Sequence, residues 1–322
     1  MNSTPILLDR PVLDDRVEFR EAVLAGLARK PRAIPAKFLY DARGSALFDA
    51  ICDLPEYYLT RTETQILRSH AGEIAGMAGP GCALVEFGSG SSVKSRLLID
   101  ALEKLHSYVP IDVSRDHLES TAAQLRRDYP GLSVVPVSAD YMTLTALPAE
   151  VDGAARRLGF FPGSTIGNLT PDDATAFLLR ARTLLGVGGA LILGVDLRKD
   201  RKLLHDAYND AAGVTAEFTL NLLRRMNREL NANFDLSGFA HDASYNPAEG
   251  RIEIFFRSLR TQVVRVAGHV FRFEAGERVH TEYSYKYDEE GISRLAESGG
   301  FDLRQVWRDP ARLFAVCFLT VA

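Results

Sequence analysis

The sequence predicts an α/β protein: a mainly parallel sheet with helices on both faces, joined to a second, α+β domain. Three observations predict it. Between Ala83 and Val195, short apolar runs alternate with stretches of helical periodicity, the rhythm of βαβ units. A glycine-rich string, Val85-Glu86-Phe87-Gly88-Ser89-Gly90, closes the first of those runs. After Asp196 the rhythm gives way to one long helical stretch followed by alternating, β-branched segments. At about 100–200 residues per domain, a chain of 322 residues is two domains or one large decorated one.

Taken in order, residues 1–62 are a mixed lead-in punctuated by Pro31, Pro35 and Pro55, with aromatic islands at Lys37–Asp41 and Leu54–Tyr58. Thr62 and Gln65 have the spacing of a capping box. Ile66, Leu67, Ala71, Ile74 and Met77 then follow helical spacing until Gly79-Pro80-Gly81 stops it. Ala83–Phe87 reads as a strand, Ser92–Leu105 as a helix and Tyr108–Ile111 as a strand. Arg115–Arg127 reads as a helix with Ser114 as a possible N-cap. Ser133–Val137 and Gly159–Pro162 are the next strands. Thr170-Pro171 supplies an N-cap and an N1 proline for a helix to about Leu185, and Ala190–Val195 is the strand after it.

Beyond Asp196, Leu203 to about Leu230 reads as one long helix. Arg251–Arg257 alternates, with Ile252, Ile254 and Phe256 on one face, and Val263–Phe273 is rich in β-branched and aromatic residues. Ile292–Ser298 is a helix stopped by Gly299-Gly300, with strands near Leu303–Trp307 and Phe314–Val321.

Composition excludes several classes. With 46% hydrophobic residues and a net charge of −4, the chain is not a disordered segment. No apolar run is long enough to span a membrane, and the start at Met1–Pro5 lacks the features of a signal peptide. Cys52, Cys82 and Cys317 are too scattered for a disulfide framework, and no C-x-x-C or other metal-ligand spacing is present. The expectation is a reduced, cytoplasmic protein without a metal. Slight acidity and the lack of a basic tract argue against nucleic acid.

The most informative string is Gly88-Ser89-Gly90, between a strand and a helix, where glycines let the backbone turn tightly and approach a ligand. Asp112 ends the next strand, where a carboxylate can accept both hydroxyls of a ribose; Asp140, after the third, can reach an adenine amino group. A dinucleotide site wants a third glycine, and this chain has Val93 there, after Ser91-Ser92. S-adenosylmethionine carries ribose and adenine but no phosphate, so it does not need that glycine. A tight turn with two solvated aspartates is the plainer alternative.

Here the chain resembles a known family: class I S-adenosylmethionine-dependent methyltransferases and, more narrowly, the histidine-specific Nα-methyltransferases of ergothioneine biosynthesis. The resemblance is carried by Lys37–Asp41, Leu54-Pro55-Glu56-Tyr57-Tyr58, Glu86–Gly90, Gly163-Ser164-Thr165-Ile166-Gly167-Asn168-Leu169-Thr170, Tyr208–Thr215 and Thr281-Glu282-Tyr283-Ser284, which span nearly the whole chain. It implies a Rossmann-like methyltransferase core at 62–197 plus 286–322, its last two strands completing a seven-stranded sheet. It implies a substrate domain at 1–61 plus 198–285, with the substrate between the two.

By the same resemblance Gly88, Lys94, Asp112, Asp140 and Tyr141 contact the cofactor, with Tyr40 nearby. Lys94 could pair with the methionyl carboxylate, or be a solvated lysine; Tyr141 could flank the adenine, or pack in the core. Gly163 to Asn168 follow the fourth strand, where methyltransferases place the acceptor. Asn168 can read a carboxylate and an amine together, or simply cap the turn before Thr170. Tyr57 and Tyr208 can bond an amino acid's polar head without adding charge, although either alone reads as a packed tyrosine. Alternation puts Glu282 and Ser284 on one strand face and Tyr283 and Tyr285 on the other. Such a carboxylate and hydroxyl suit the two nitrogens of an imidazole; a solvent-facing polar pair is the alternative. Thr215 assists, through water. Ile254 stands where the family's pocket can carry a methionine, a swap of similar volume.

The implied reaction is trimethylation of the α-amine of L-histidine to hercynine, with Tyr40, Tyr57 and Asn168 as the catalytic group. The expected partners are histidine and its N-methylated intermediates, with no nucleic acid or membrane, acting on a monomer. Three other classes compete: a methyltransferase for another free amino acid, small amine, nucleic acid or protein; a nicotinamide oxidoreductase; and a nucleoside-cofactor-binding module without turnover. Against nucleic-acid amino methylation stands Pro162-Gly163-Ser164-Thr165, where such enzymes often carry Asn-Pro-Pro-aromatic.

Overall fold

A computed structural model describes residues 15–90 and 92–322. The readings on Met1–Pro5 and on Ser91 lie outside the described residues. In chain order the elements begin with α1 (Asp15–Ala28), β1 (Arg32–Ala33), α2 (Ala42–Cys52) and α3 (Tyr58–Ala78). Next come β2 (Cys82–Phe87), α4 (Val93–Ala101), β3 (Ser107–Asp112), α5 (Arg115–Asp128), β4 (Ser133–Val134) and β5 (Val137–Ser138). Then follow β6 (Arg156–Phe161), α6 (Pro171–Leu185), β7 (Ala190–Asp196), α7 (Arg201–Asp206) and α8 (Val214–Leu230). The remainder is β8 (Phe239–Asn246), β9 (Arg251–Ser258), β10 (Gln262–Val266), β11 (His269–Phe273), β12 (Arg278–Tyr285), α9 (Glu289–Ser298), β13 (Phe301–Arg308) and β14 (Phe314–Val321).

The described chain divides into two compact units, one holding Leu59–Arg198 and Tyr285–Ala322, the other 15–58 and Lys199–Ser284. The first unit is built on a mixed sheet in the order β13-β14-β7-β6-β2-β3-β4, with β5 also on β3. Strands β2, β3, β6 and β7 run parallel to their neighbours among themselves, and β14 is antiparallel to both β7 and β13. Strands β2 and β7 are buried at every position, as expected where helices cover both faces of a parallel sheet. On one face Val85, Phe87 and Leu193 join Phe177, Leu178 and Ala181 of α6 and Ile292 and Leu295 of α9 in a single apolar cluster.

The chain runs outward from β2 through β3 to β4, then returns to lay β6 on the other side of β2. The strand order therefore reverses between β2 and β6, and the crevice beyond the strand ends at such a switch point is where open α/β sheets bind ligands. Two loops flank it: Gly88–Gly90 after β2 and Gly163–Asn168 after β6.

The second unit pairs β1, β12, β9 and β8 in a four-stranded sheet and adds a β10–β11 hairpin. Along β9, buried Ile252, Ile254 and Phe256 alternate with half-buried partners, as the sequence pattern predicts. Helix α8 packs on α2 and on β8.

Several local expectations need correction. Thr62 does not cap a helix: α3 starts at Tyr58, because Tyr58, Leu59, Thr62, Glu63, Ile66 and Leu67 form one continuous buried stripe. The helix expected over Ser92–Leu105 stops at Ala101, where Leu102 turns extended and buries its side chain. Ser114 starts α5 in position only; its side chain makes no cap, and its N–H donates instead to Asp112 Oδ1 at 2.9 Å. The third parallel strand is broken into β4 and β5 around Pro136, which has no N–H for the ladder. The long helix expected from Leu203 to Leu230 is two helices. The Asp210 carboxylate accepts the N–H groups of Val214 and Thr215 at 2.8 Å each, and Gly213 adopts φ +74°, so α8 starts afresh. Thr170, by contrast, caps α6 as predicted, its hydroxyl accepting the Asp173 N–H at 3.2 Å.

Candidate functional site

At the end of β2 the backbone must turn sharply into α4. Gly88 adopts φ +74° and Gly90 φ +45°, a region that L side chains avoid. The Gly88 N–H donates to Ile111 O at 2.8 Å, which ties the turn to the end of β3. Asp112 follows at once: its Oδ2 accepts the Gly90 N–H at 3.3 Å and its Oδ1 the Ser114 N–H. A Cβ on Gly88 would lie 3.8 Å from the Tyr141 ring. Tyr141 packs edge-on against Phe161 and Phe177 at 5.3 and 5.5 Å. Beside it, Asp140 Oδ1 accepts the Met142 N–H at 2.9 Å. Gly88, Asp112, Asp140 and Tyr141 are thus gathered at the ends of β2, β3 and β5. The Ser89 hydroxyl is buried in the turn with no hydrogen-bond partner among the described residues.

This cradle suits an adenosine-bearing cofactor: a glycine turn, two carboxylates at successive strand ends and an aromatic flank. The residues present therefore fit S-adenosylmethionine.

Under the turn lies Glu86, fully buried. Ser95 Oγ donates to its Oε2 at 2.5 Å, and Tyr108 donates to the same oxygen. Burial pushes the Glu86 carboxyl up to about 7, the two hydroxyls and the Lys94 charge opposing it.

The second loop of this unit turns at Gly163, with φ +76°, and Ser164, with φ +57°, into a single 3-10 turn over Thr165–Asn168. The Asp196 N–H donates to Ser164 Oγ at 2.9 Å. Gly167 abuts the Tyr285 backbone so closely that a Cβ would fall 2.7 Å from its carbonyl oxygen. Asn168, half-buried, closes the turn, and the helix cap that competed for it is Thr170. Lys94 reaches from α4 to this loop, where its ammonium pairs with Glu63 at 2.5 Å. Sequence reasoning missed Glu63, although a glutamate on the buried stripe of α3 is itself a signal. It also missed Asp196 and Lys286, a fully buried ion pair at 2.7 Å beneath the same loop.

In the second unit Tyr40, Tyr57, Tyr208 and Ser284 come together, linked through aromatic rings and one hydrogen bond. Tyr40 stacks edge-on with Phe48 and Phe218, at 5.5 and 5.4 Å, and Phe48 meets Tyr57 at 6.3 Å. Tyr57 and Tyr208 lie edge to face at 6.2 Å, and the Tyr208 hydroxyl bonds Ser284 Oγ at 2.8 Å. Burial raises the Tyr57 phenol well above its ordinary range, and the charges of Tyr208, Cys52, Tyr40 and Glu282 add to that. Tyr57 is therefore a protonated phenol near neutral pH, with the Glu282 carboxylate close enough to be felt. Tyr283 faces elsewhere: its ring lies 3.8 Å from that of His280 and under Arg251. Thr281 and Ser284 are buried while Glu282 and Tyr283 between them are half-buried, so burial does not alternate strictly along this stretch. Thr215, buried at the start of α8, is anchored through its N–H to Asp210. Burial opposes ionisation of Asp210, but hydrogen bonds from Thr215 and Val214 hold its carboxyl below the usual range.

The switch-point sheet, the glycine turn and the strand-end carboxylates together define a class I S-adenosylmethionine-dependent methyltransferase. A solved structure of a candidate methyltransferase from Thermobifida fusca shares this fold, with a TM-score of 0.51 and 15% identity over 88% of this chain and 92% of that one. A family model described as histidine-specific, SAM-dependent methyltransferase matches residues 19–321. The histidine N-alpha-methyltransferase of Mycolicibacterium smegmatis is 46% identical over 92% of this chain and 93% of its own length. Ergothioneine biosynthesis protein 1 of Neurospora crassa is 32% identical over 86% of this chain and 32% of its own, longer sequence. The chain belongs to the family of histidine-specific, S-adenosylmethionine-dependent methyltransferases.

Proposed function

We propose that the chain methylates the α-amine of free L-histidine three times, giving hercynine, the opening step of ergothioneine biosynthesis. The observation that carries this reading is the cluster of buried Tyr57, Tyr208 and Ser284 with half-buried Glu282: three hydroxyls and one carboxylate set among aromatic rings. Such a set suits a small polar molecule with an amine and a ring N–H.

In the first unit, Gly88 lets the main chain approach the cofactor, Asp112 holds the ribose, Asp140 and Tyr141 hold the adenine, and Lys94 meets the methionyl carboxylate. When bound, S-adenosylmethionine supplies an electrophilic sulfonium methyl. The protein's share is orientation and proximity. Asn168 and the Gly163 loop hold the amino-acid head, and Tyr208 assists with its hydroxyl. Glu282 accepts an imidazole N–H while Ser284 completes the second ring nitrogen, with Thr215 behind them. An α-amine titrates near pH ~8, so a neutral fraction exists without a strong base. Tyr57, kept protonated by burial, accepts a hydrogen bond from the amine through its oxygen and so steers the lone pair, with Tyr40 beside it. We place this activity in the cytoplasm, on a monomer, with small-molecule partners and neither nucleic acid nor membrane. Among the described residues no helix is long and apolar enough to cross a membrane.

Glu282→Ala tests the imidazole contact. It is expected to raise the KM for histidine by tenfold or more, since a charge-assisted hydrogen bond contributes ~1.5–3 kcal/mol, while S-adenosylhomocysteine binds as before. Equal losses in both would contradict the assignment.

A further inference from the structure

Glu63 has no part in the reading above, yet its side chain is completely buried and four elements converge on it. It projects from the buried stripe of α3. One carboxylate oxygen takes the Lys94 ammonium of α4 at 2.5 Å. The same oxygen accepts the Gly163 N–H at 2.8 Å, and the other lies 3.1 Å from that nitrogen. A Cβ on Gly194 of β7 would lie 2.0 Å from Glu63 Oε1, so the fourth element gives way to it by having no side chain. A buried carboxylate costs several kcal/mol unless it is paired and hydrogen-bonded, and this one is held from two sides at once.

We infer that Glu63 is a positioning residue, which aims the Lys94 ammonium at the cofactor's carboxylate and fixes the start of the Gly163 loop with the same group. The inference rests on the reading that Lys94 meets that carboxylate. Lys94 has four rotatable bonds and carries three N–H donors. With one donor committed to Glu63, its nitrogen is fixed and the remaining donors keep defined directions. A glutamine at position 63 keeps an amide oxygen for the Gly163 N–H but removes the negative charge that pairs with the ammonium. This shape-conserving swap thus deletes the ion pair while leaving the loop an acceptor.

The test uses two probes in calorimetry. S-adenosylhomocysteine carries the amino-acid carboxylate; 5′-methylthioadenosine shares the nucleoside and lacks it. For Glu63→Gln the expected result is a loss of about tenfold or more in S-adenosylhomocysteine affinity, with methylthioadenosine affinity held within twofold. Lys94→Met is expected to show the same pattern, and the double variant to be no weaker than Lys94→Met alone, since one residue acts through the other. If Lys94→Met leaves the ratio of the two affinities unchanged, the assignment of Lys94 to the carboxylate is wrong. If Lys94→Met changes the ratio and Glu63→Gln does not, the positioning role is wrong. A loss of both probes in Glu63→Gln would show a merely structural part and also overturn the proposal.

Discussion

Glu86 shows how a single residue can sit at the site and still work against the stability of the fold. Its carboxyl is buried under the glycine turn and raised from its ordinary value to about 7. A raised carboxyl contributes stability below pH ~4.5 that is lost as pH climbs through 7. Glu86→Gln removes that dependence: relative to the wild type it should gain up to ~3 kcal/mol between pH 4.5 and 8, read by denaturant unfolding at each pH. Parallel curves for the two proteins would contradict it. At this scale the sequence was uneven. Gly88, Asp112 and Asp140 were legible because strand ends and turns leave a pattern. The partners were not: nothing in the sequence pairs Lys94 with Glu63, or Tyr208 with Ser284 across 76 positions. Such contacts belong to tertiary structure and leave no local period.

Among elements, helix α6 is legible from its own start. Helix α6 begins at Thr170-Pro171 because the cap hydroxyl and the proline are both local devices. Thr170→Ala should therefore cost about 1 kcal/mol of stability, measured by unfolding, with cofactor affinity unchanged; no loss would show that the cap is redundant. Where tertiary contacts decide, local reading failed. The start of α3 is set by a buried stripe that reaches back to Tyr58, past the apparent capping box at Thr62. The gap between α7 and α8 is set by one aspartate that captures two N–H groups at 2.8 Å. Ser133–Val137 reads as one strand, but Pro136 splits it, and β4 and β5 keep their places beside β3 on either side of the break.

For the whole molecule, the alternation of strands and helices was enough to give a mainly parallel sheet, and the change of rhythm after Asp196 lies close to Lys199, where the chain enters the second unit. The β2–β6 reversal, which places the Gly88 and Gly163 loops on one crevice, follows from strand order and could not be read from spacing alone. The central claim concerns what the molecule does. Purified protein is incubated with S-adenosylmethionine and each of the twenty amino acids in turn, and the products are weighed by mass spectrometry. Histidine alone should gain one, two and finally three methyl groups; methylation of another amino acid with histidine left unchanged would contradict the account.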